Sequence, residues 1–315
     1  MTAEYWQRRN EEMKHIQDMF DSDAAYNAEI KRIYDRAQRE IQKEIDAFIT
    51  NYAKGENITI ADARKQVNKM DVEAFAEKAK QYVKERDFSP QANEELKKYN
   101  LRMKMSRLEM LNHHIQLETI AMANDEEKLL TARLDEELYN EYVRQAGILG
   151  EPVPSAAQLK SISKVIVTAD FHGANFSSRI WVNRAELQNE LEKAISRTMI
   201  QGENPRVTAR NLRRLVNDNV NNKRYAAERL AITESGRVQT ETQKVSFEEF
   251  GYTQYEYIAE PTACEICKPL DGKIFNVDDM QAGENANPMH PNCRCSVAAH
   301  MSREEWNADL KARGL

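Results

Sequence analysis

CEICKPLDGKIFNVDDMQAGENANPMHPNCRC, residues 264–295, contains all four cysteines of the chain: Cys264, Cys267, Cys293 and Cys295. His290 stands three residues before Cys293. The spacing is C-x2-C, a run of twenty-two residues, then H-x2-C-x-C. Two pairs of soft ligands on tight turns are what a tetrahedral structural zinc site requires. Four thiolates can fill it, with His290 as the substitute ligand, so five donors stand for four positions. The C-x2-C turn can aim two sulfurs at one centre, and alternate residues of an extended C-x-C face the same side.

Other readings of the cysteines stay open. Two disulfides could form at these spacings, in particular after a move from reducing cytosol to an oxidising exterior. Disulfide frameworks belong mostly to small secreted chains, and no signal peptide is read at the N-terminus. A redox CxxC would sit beside a βαβ pattern, and none surrounds this one. A catalytic zinc keeps an open position and leans on His or carboxylate ligands.

Outward from this stretch the chain divides by its helix breakers. The first 146 residues contain one glycine, Gly55, and one proline, Pro90. The other nine glycines and seven prolines come later. The first half therefore reads as almost wholly helical. From Thr2 to Tyr52, Tyr26, Ile30, Ile33, Ala37, Ile41, Ile45 and Phe48 recur at spacings of three and four, one stripe of a helix. Shorter helices are expected near 60–70 and 72–86, the second capped by Asp71. Ser89-Pro90 is a start signal for a helix reaching about Gln145, with a break expected near Asn124-Asp125. Leu101, Met105, Leu108, Leu111, Ile115 and Met122 mark its buried face, which weakens at Glu118-Thr119. His113 and His114 point about 100° apart on a helix, so they read as structural or exposed. A self-contained bundle and an elongated arm that docks on a partner both suit this half. Its polarity favours the arm.

Gly147–Pro154 (GILGEPVP) is the linker. Beyond it, residues 164–176 carry no clear pattern. Helices are expected over Arg184–Ile200, over Ala209–Val216 with Thr208 as cap, and from Lys223 to Phe250. The period then changes to two. Strands are expected at Gln254–Ala259, Lys273–Asn276 and Cys295–His300, with Asp271-Gly272 as a turn, and a last helix over 303–312. The fold class is thus mainly α. A long-helix domain over 1–146 and a linker at 147–160 precede a small α+β domain over 161–315 with a zinc-knuckle-like cluster.

The chain has 315 residues and a net charge of −6, which argues against bulk nucleic-acid binding. No apolar run approaches the length of a membrane span. Residues 201–230 form a local exception, with Arg206, Arg210, Arg213, Arg214, Lys223, Arg224 and Arg229 against Glu203, Asp218 and Glu228. This is a candidate surface for DNA or an acidic partner, or else two solvated helix faces. No phosphate loop, G-x-S-x-G or H-E-x-x-H is present. Thr233-Glu234-Ser235 and Asp170-Phe171-His172 carry reactive side chains, as chance triplets do.

Tyr255-Glu-Tyr-Ile-Ala, CEIC, LDGKIF and HPNCRC together resemble the C-terminal signature of the phage head morphogenesis family, the Mu F-like minor head proteins of tailed bacteriophages. ERLAITESGRVQTETQ (Glu228–Gln243) resembles that family's Arg-Thr-Glu helix, with Ile232 at the arginine position before Thr233 and Glu234. The likeness covers about 160–300. It implies a minor capsid protein present in few copies, made in the host cytoplasm and placed in the virion head. Its partners would be the portal protein, other head proteins and phage DNA, with no membrane. The role implied is structural and non-catalytic, in head morphogenesis, with DNA packaging or ejection as extensions. A zinc-dependent nucleic-acid-binding module is the second reading. A nuclease or ADP-ribosyltransferase-like enzyme is the third, by fold-level analogy.

Overall fold

The computed structural model describes residues 3–53, 90–200 and 205–301. Among these, five helices precede a small sheet: α1 (Ala3–Ala53), α2 (Pro90–Leu149), α3 (Ala156–Val167), α4 (Phe176–Ile200) and α5 (Pro205–Glu249). The strands are β1 (Gln254–Ile258), β2 (Ile274–Asn276) and β3 (Ser296–His300). The chain is mainly α with an α+β C-terminal module, as expected. The helices expected near 60–70, 72–86 and 303–312, and the caps Asp71 and Ser89, lie outside the described residues. So do the side chains of Phe48, Leu101, Met105, Leu108, His113, Arg206 and Thr208.

The long helices follow their apolar stripes. In α1, Ile16, Tyr26, Ile30, Ala37, Ile41 and Ile45 are buried, and Tyr34 is buried while Ile33 is only half so. Ile30 to Tyr34 is a step of four, which keeps the stripe on one face. α2 begins at Pro90 and continues through Asn124-Asp125 without the expected break. Thr119 falls where the stripe looked weak. It is fully buried, and its hydroxyl donates to the Gln116 carbonyl at 3.0 Å. A buried hydroxyl satisfied within its own helix does not interrupt it.

α5 is one helix where two were expected. The polar run 217–222 has modest helix propensity but contains no breaker, and Val216, Val220, Ala227 and Ala231 continue one buried stripe through it. α4 starts at Phe176, earlier than expected. Asn175 accepts from the Ser178 N–H at 2.8 Å, and Phe176 and Ile180 are buried. α3 occupies part of the stretch without a clear pattern, and starts inside the expected linker. Ser155 and Gln158 form a reciprocal capping box at its start.

Two compact units are found among the described residues. One draws on Met1–Lys31, Asp125–Ile180 and Arg224–Leu315, the other on Arg32–Asn124 and Trp181–Lys223. Units assembled from separated segments require the long helices to pass from one into the other. In α2 the change falls at Asn124-Asp125. The second unit is laced by Gln38–Asn217, Asp46–Arg213, Glu44–His114 and Glu186–Lys223 contacts.

In the first unit the strands form an antiparallel sheet of order β2-β1-β3. The period-two reading placed all three strands within a residue of their ends. Gly272, at φ +74°, makes the turn before β2, a conformation that costs glycine little. Tyr255 pairs with Phe275 on one side and Ala299 on the other. Tyr255, Tyr257, Val297 and Ala299 pack with Phe247, Val277 and Met280 and with the buried Cys267, Cys293 and Cys295. The core of the module and the cysteine cluster are therefore one packing unit.

Candidate metal centre

Cys264 and Cys267 sit on a tight turn, where the Lys268 N–H donates to the Cys264 carbonyl at 2.9 Å. A 3-10 turn, Lys268–Leu270, follows and carries Pro269. The N–H groups of Cys267 and Ile266 point at the Cys264 sulfur and lower its thiol below the usual range. Such donors favour the thiolate that a metal binds.

The opposite strand of the site is irregular backbone, 287–295. Cys293 N–H donates to the His290 carbonyl at 3.1 Å. The His290 Nδ1–H is positioned to donate to the Pro291 carbonyl at 2.9 Å. With Nδ1 as the donor, Nε2 is the nitrogen open to a metal, and it is turned toward the thiols. Nε2 lies 3.1 Å from the Cys264 sulfur and 3.3 Å from that of Cys267. The Cys267 and Cys293 sulfurs are 3.7 Å apart.

The five expected donors therefore come together. They form two groups of three, Cys264-Cys267-His290 and Cys267-Cys293-Cys295, which share Cys267. Two sulfurs bound tetrahedrally at 2.3 Å stand about 3.8 Å apart, close to the Cys267–Cys293 separation. The residues fit a metal ion by donor type and by spacing. In the structure all four cysteines are free thiols, with Cys264 exposed and the others buried. Hydrogen bonds from Cys267 and Cys295 hold the Cys293 thiol below the usual range. The same bonds, with burial, push Cys267 and Cys295 up.

α5 and this loop are joined by buried polar contacts that no local pattern announces. The Asn292 N–H donates to Thr233 Oγ1 at 3.3 Å, and Arg294 Nη1 donates to the Ile232 carbonyl at 3.3 Å. Gln239 and Gln243 donate to Ser296 Oγ at 2.9 and 3.2 Å. Asn287 is fully buried; its Nδ2 donates to the Gly236 carbonyl at 3.2 Å, and Thr240 Oγ1 donates to its Oδ1 at 2.7 Å. Irregular backbone inside a protein has no ladder to satisfy it, so side chains must do so. Asn287→Ala is expected to strip these bonds and lower stability by about 1–3 kcal/mol with the donors intact. Urea unfolding together with zinc content checks both halves of that expectation.

Glu234, also on α5, is fully buried. It pairs with Arg237 at 2.7 Å, and Arg237 donates to the Ile166 and Val167 carbonyls at the end of α3 at 2.8 and 3.2 Å. Asp170 and His172 border a cavity of about 400 Å³ beside Arg237 and Glu241. Three of the basic positions of α5 are answered within the chain. Arg213 pairs with Asp46 at 2.8 Å, Lys223 with Glu186 at 2.6 Å and Arg224 with Glu228 at 3.3 Å. Arg210 and Arg214 are exposed.

The sequence reading missed a chain of buried charge behind the cysteines. Arg294, between Cys293 and Cys295, is 2% exposed and directs its Nε to Asp23 at 2.8 Å. Asp23 also accepts from Arg133 at 2.6 Å. Glu12 accepts from Ser296 Oγ at 2.9 Å and from Arg144 at 2.6 Å. The only local signal was an arginine set between two ligands.

Residues 189–298 match the family model described as Phage Mu protein F like protein. The matched span includes the C-terminal part of α4, all of α5, β1, β2, the start of β3 and all five metal-donor residues. No curated protein and no solved structure gives a significant match.

Proposed function

We propose, on the premise that residues 189–298 are a phage Mu protein F-like region, that this chain is a minor head protein of a tailed bacteriophage. It acts in head morphogenesis at the portal vertex, in few copies, and enters the virion with the portal. Its role is structural and non-catalytic, and extends to DNA packaging or ejection. The family match carries this reading. The buried polar scaffold around the cluster supports it, because the pairing of Glu234 with Arg237 uses reactive-looking side chains to tie helix to helix. No described helix is long and apolar enough to cross a membrane.

The ion held by the module is zinc. Thiolate and imidazole are its usual ligands in closed structural sites, and the set offers one nitrogen and four sulfurs. Zinc would supply a cross-link that ties the Cys264–Cys267 turn to the 290–295 segment. His290 enters as a working donor, since it touches two of the thiols.

The test is assembly. Co-expressed with the portal protein, this chain is expected to co-purify with the portal oligomer, and particles formed without it are expected to lose infectivity. Fully infectious particles lacking the chain would remove the role assigned to it.

A further inference from the structure

We propose that the ion at the cysteine cluster also latches the N-terminal segment of α1, residues 9–23, onto the C-terminal module, so that metal occupancy sets how tightly this segment is held. The inference rests on the metal reading above and adds a consequence to it.

The latch is built into the residues that alternate with and follow the ligands. Cys293 and Cys295 turn toward the cluster, and Arg294 between them turns away to Asp23 of α1. Arg294 is flanked on both sides by a ligand, so fixing the two sulfurs restrains the backbone that aims the guanidinium. Ser296, the next residue, donates to Glu12 of α1 at 2.9 Å. On the other side of the loop, Asp271 accepts two hydrogen bonds from Arg9 at 2.9 and 2.8 Å. Asp271 lies four residues past Cys267, directly after the 3-10 turn that this cysteine begins. Both metal-bearing segments thus carry a contact to α1.

This stretch of α1 has little else to bury. Between residues 9 and 23 its buried side chains are Glu12, Ile16 and Asp23. Two of the three are carboxylates, and both take a partner from 294–296. A carboxylate is stable out of water only with its partners in place. Their other partners, Arg144 and Arg133, lie on α2 and remain when the loop loosens. Loss of the ion therefore loosens residues 9–23 without shedding the helix.

Amide hydrogen exchange on the full-length chain tests this, under reducing conditions, zinc-loaded and after chelation, with zinc content measured in each sample. Chelation is expected to raise exchange about tenfold or more in residues 9–23 together with 254–300, while residues 32–47 stay unchanged. Arg294→Met keeps every donor and is expected to deprotect 9–23 while retaining zinc. Unchanged exchange in 9–23 after zinc has left overturns the latch and spares the metal reading. Zinc retained by Arg294→Met with full protection of 9–23 overturns it as well. A chain that binds no zinc at all removes both.

Discussion

Cys267→Ser is expected to abolish zinc binding and to unfold residues 254–300 at neutral pH, with the helices of the second unit still formed. Cys267 is the one donor common to both groups, so its loss damages either arrangement of four ligands. It is also part of the module's core, packed with Tyr255, Tyr257 and Val297. Structural zinc contributes on the order of 10 kcal/mol at neutral pH in small finger domains, and here it closes a loop with little regular structure of its own. Cys264→Ser should cost less, because Cys264 is exposed and belongs to one group only. A zinc affinity at least about tenfold higher for Cys264→Ser than for Cys267→Ser is the expected order. Acid should mimic the substitution. Ligand thiols and imidazole must shed protons to bind, so zinc-linked stability is present at neutral pH and is lost as pH falls and these groups take their protons back. Elemental analysis and urea unfolding read out each case. No metal in either wild type or variant, with two disulfides formed, would replace the ion by covalent pairing.

The parts of this molecule that could be read from sequence are those written in local periods. The stripe of Ile30, Ala37, Ile41 and Ile45 repeats every three or four residues, and the strands alternate, so each announces itself within one segment. Ligand spacing is equally local at each end, and the five donors were nameable before their geometry was known. The buried charges were not. Asp23 and Arg294 are separated by 271 residues, and Glu12 and Ser296 by 284, so no window contains both partners. The burial of the polar face of α5 was illegible for a related reason. Thr233, Gln239, Thr240 and Gln243 look solvated in sequence, yet they are buried because irregular backbone beside them needs donors and acceptors. The split expected in α5 failed because propensity was weighed without Val216 and Val220, whose burial carries the helix through its polar run.

Asp23→Ala is expected to destabilise the first unit by about 3–5 kcal/mol, although the substitution lies far in sequence from every candidate ligand. Asp23 is 6% exposed and serves two buried guanidiniums, Arg133 at 8% and Arg294 at 2% exposure. Burial pulls Arg294 below its ordinary range, and Asp23 is the charge that opposes this. Arg133 keeps Glu137 at 2.7 Å when Asp23 is gone. Arg294 keeps the Ile232 carbonyl as a hydrogen-bond acceptor and the more distant charge of Glu137, a weaker match than the carboxylate it loses. An arginine cannot lose its proton to escape, so the penalty falls on the fold. The double substitution Asp23→Ala with Arg294→Met removes the stranded charge, and should recover part of the loss through a coupling energy of about 1–3 kcal/mol. Urea unfolding of the four proteins in this cycle, zinc-loaded throughout, measures it. Additive losses would mean that the pair does not interact in solution, and the link from α1 to the cysteine loop would then have to run through Glu12 with Ser296 and Arg9 with Asp271.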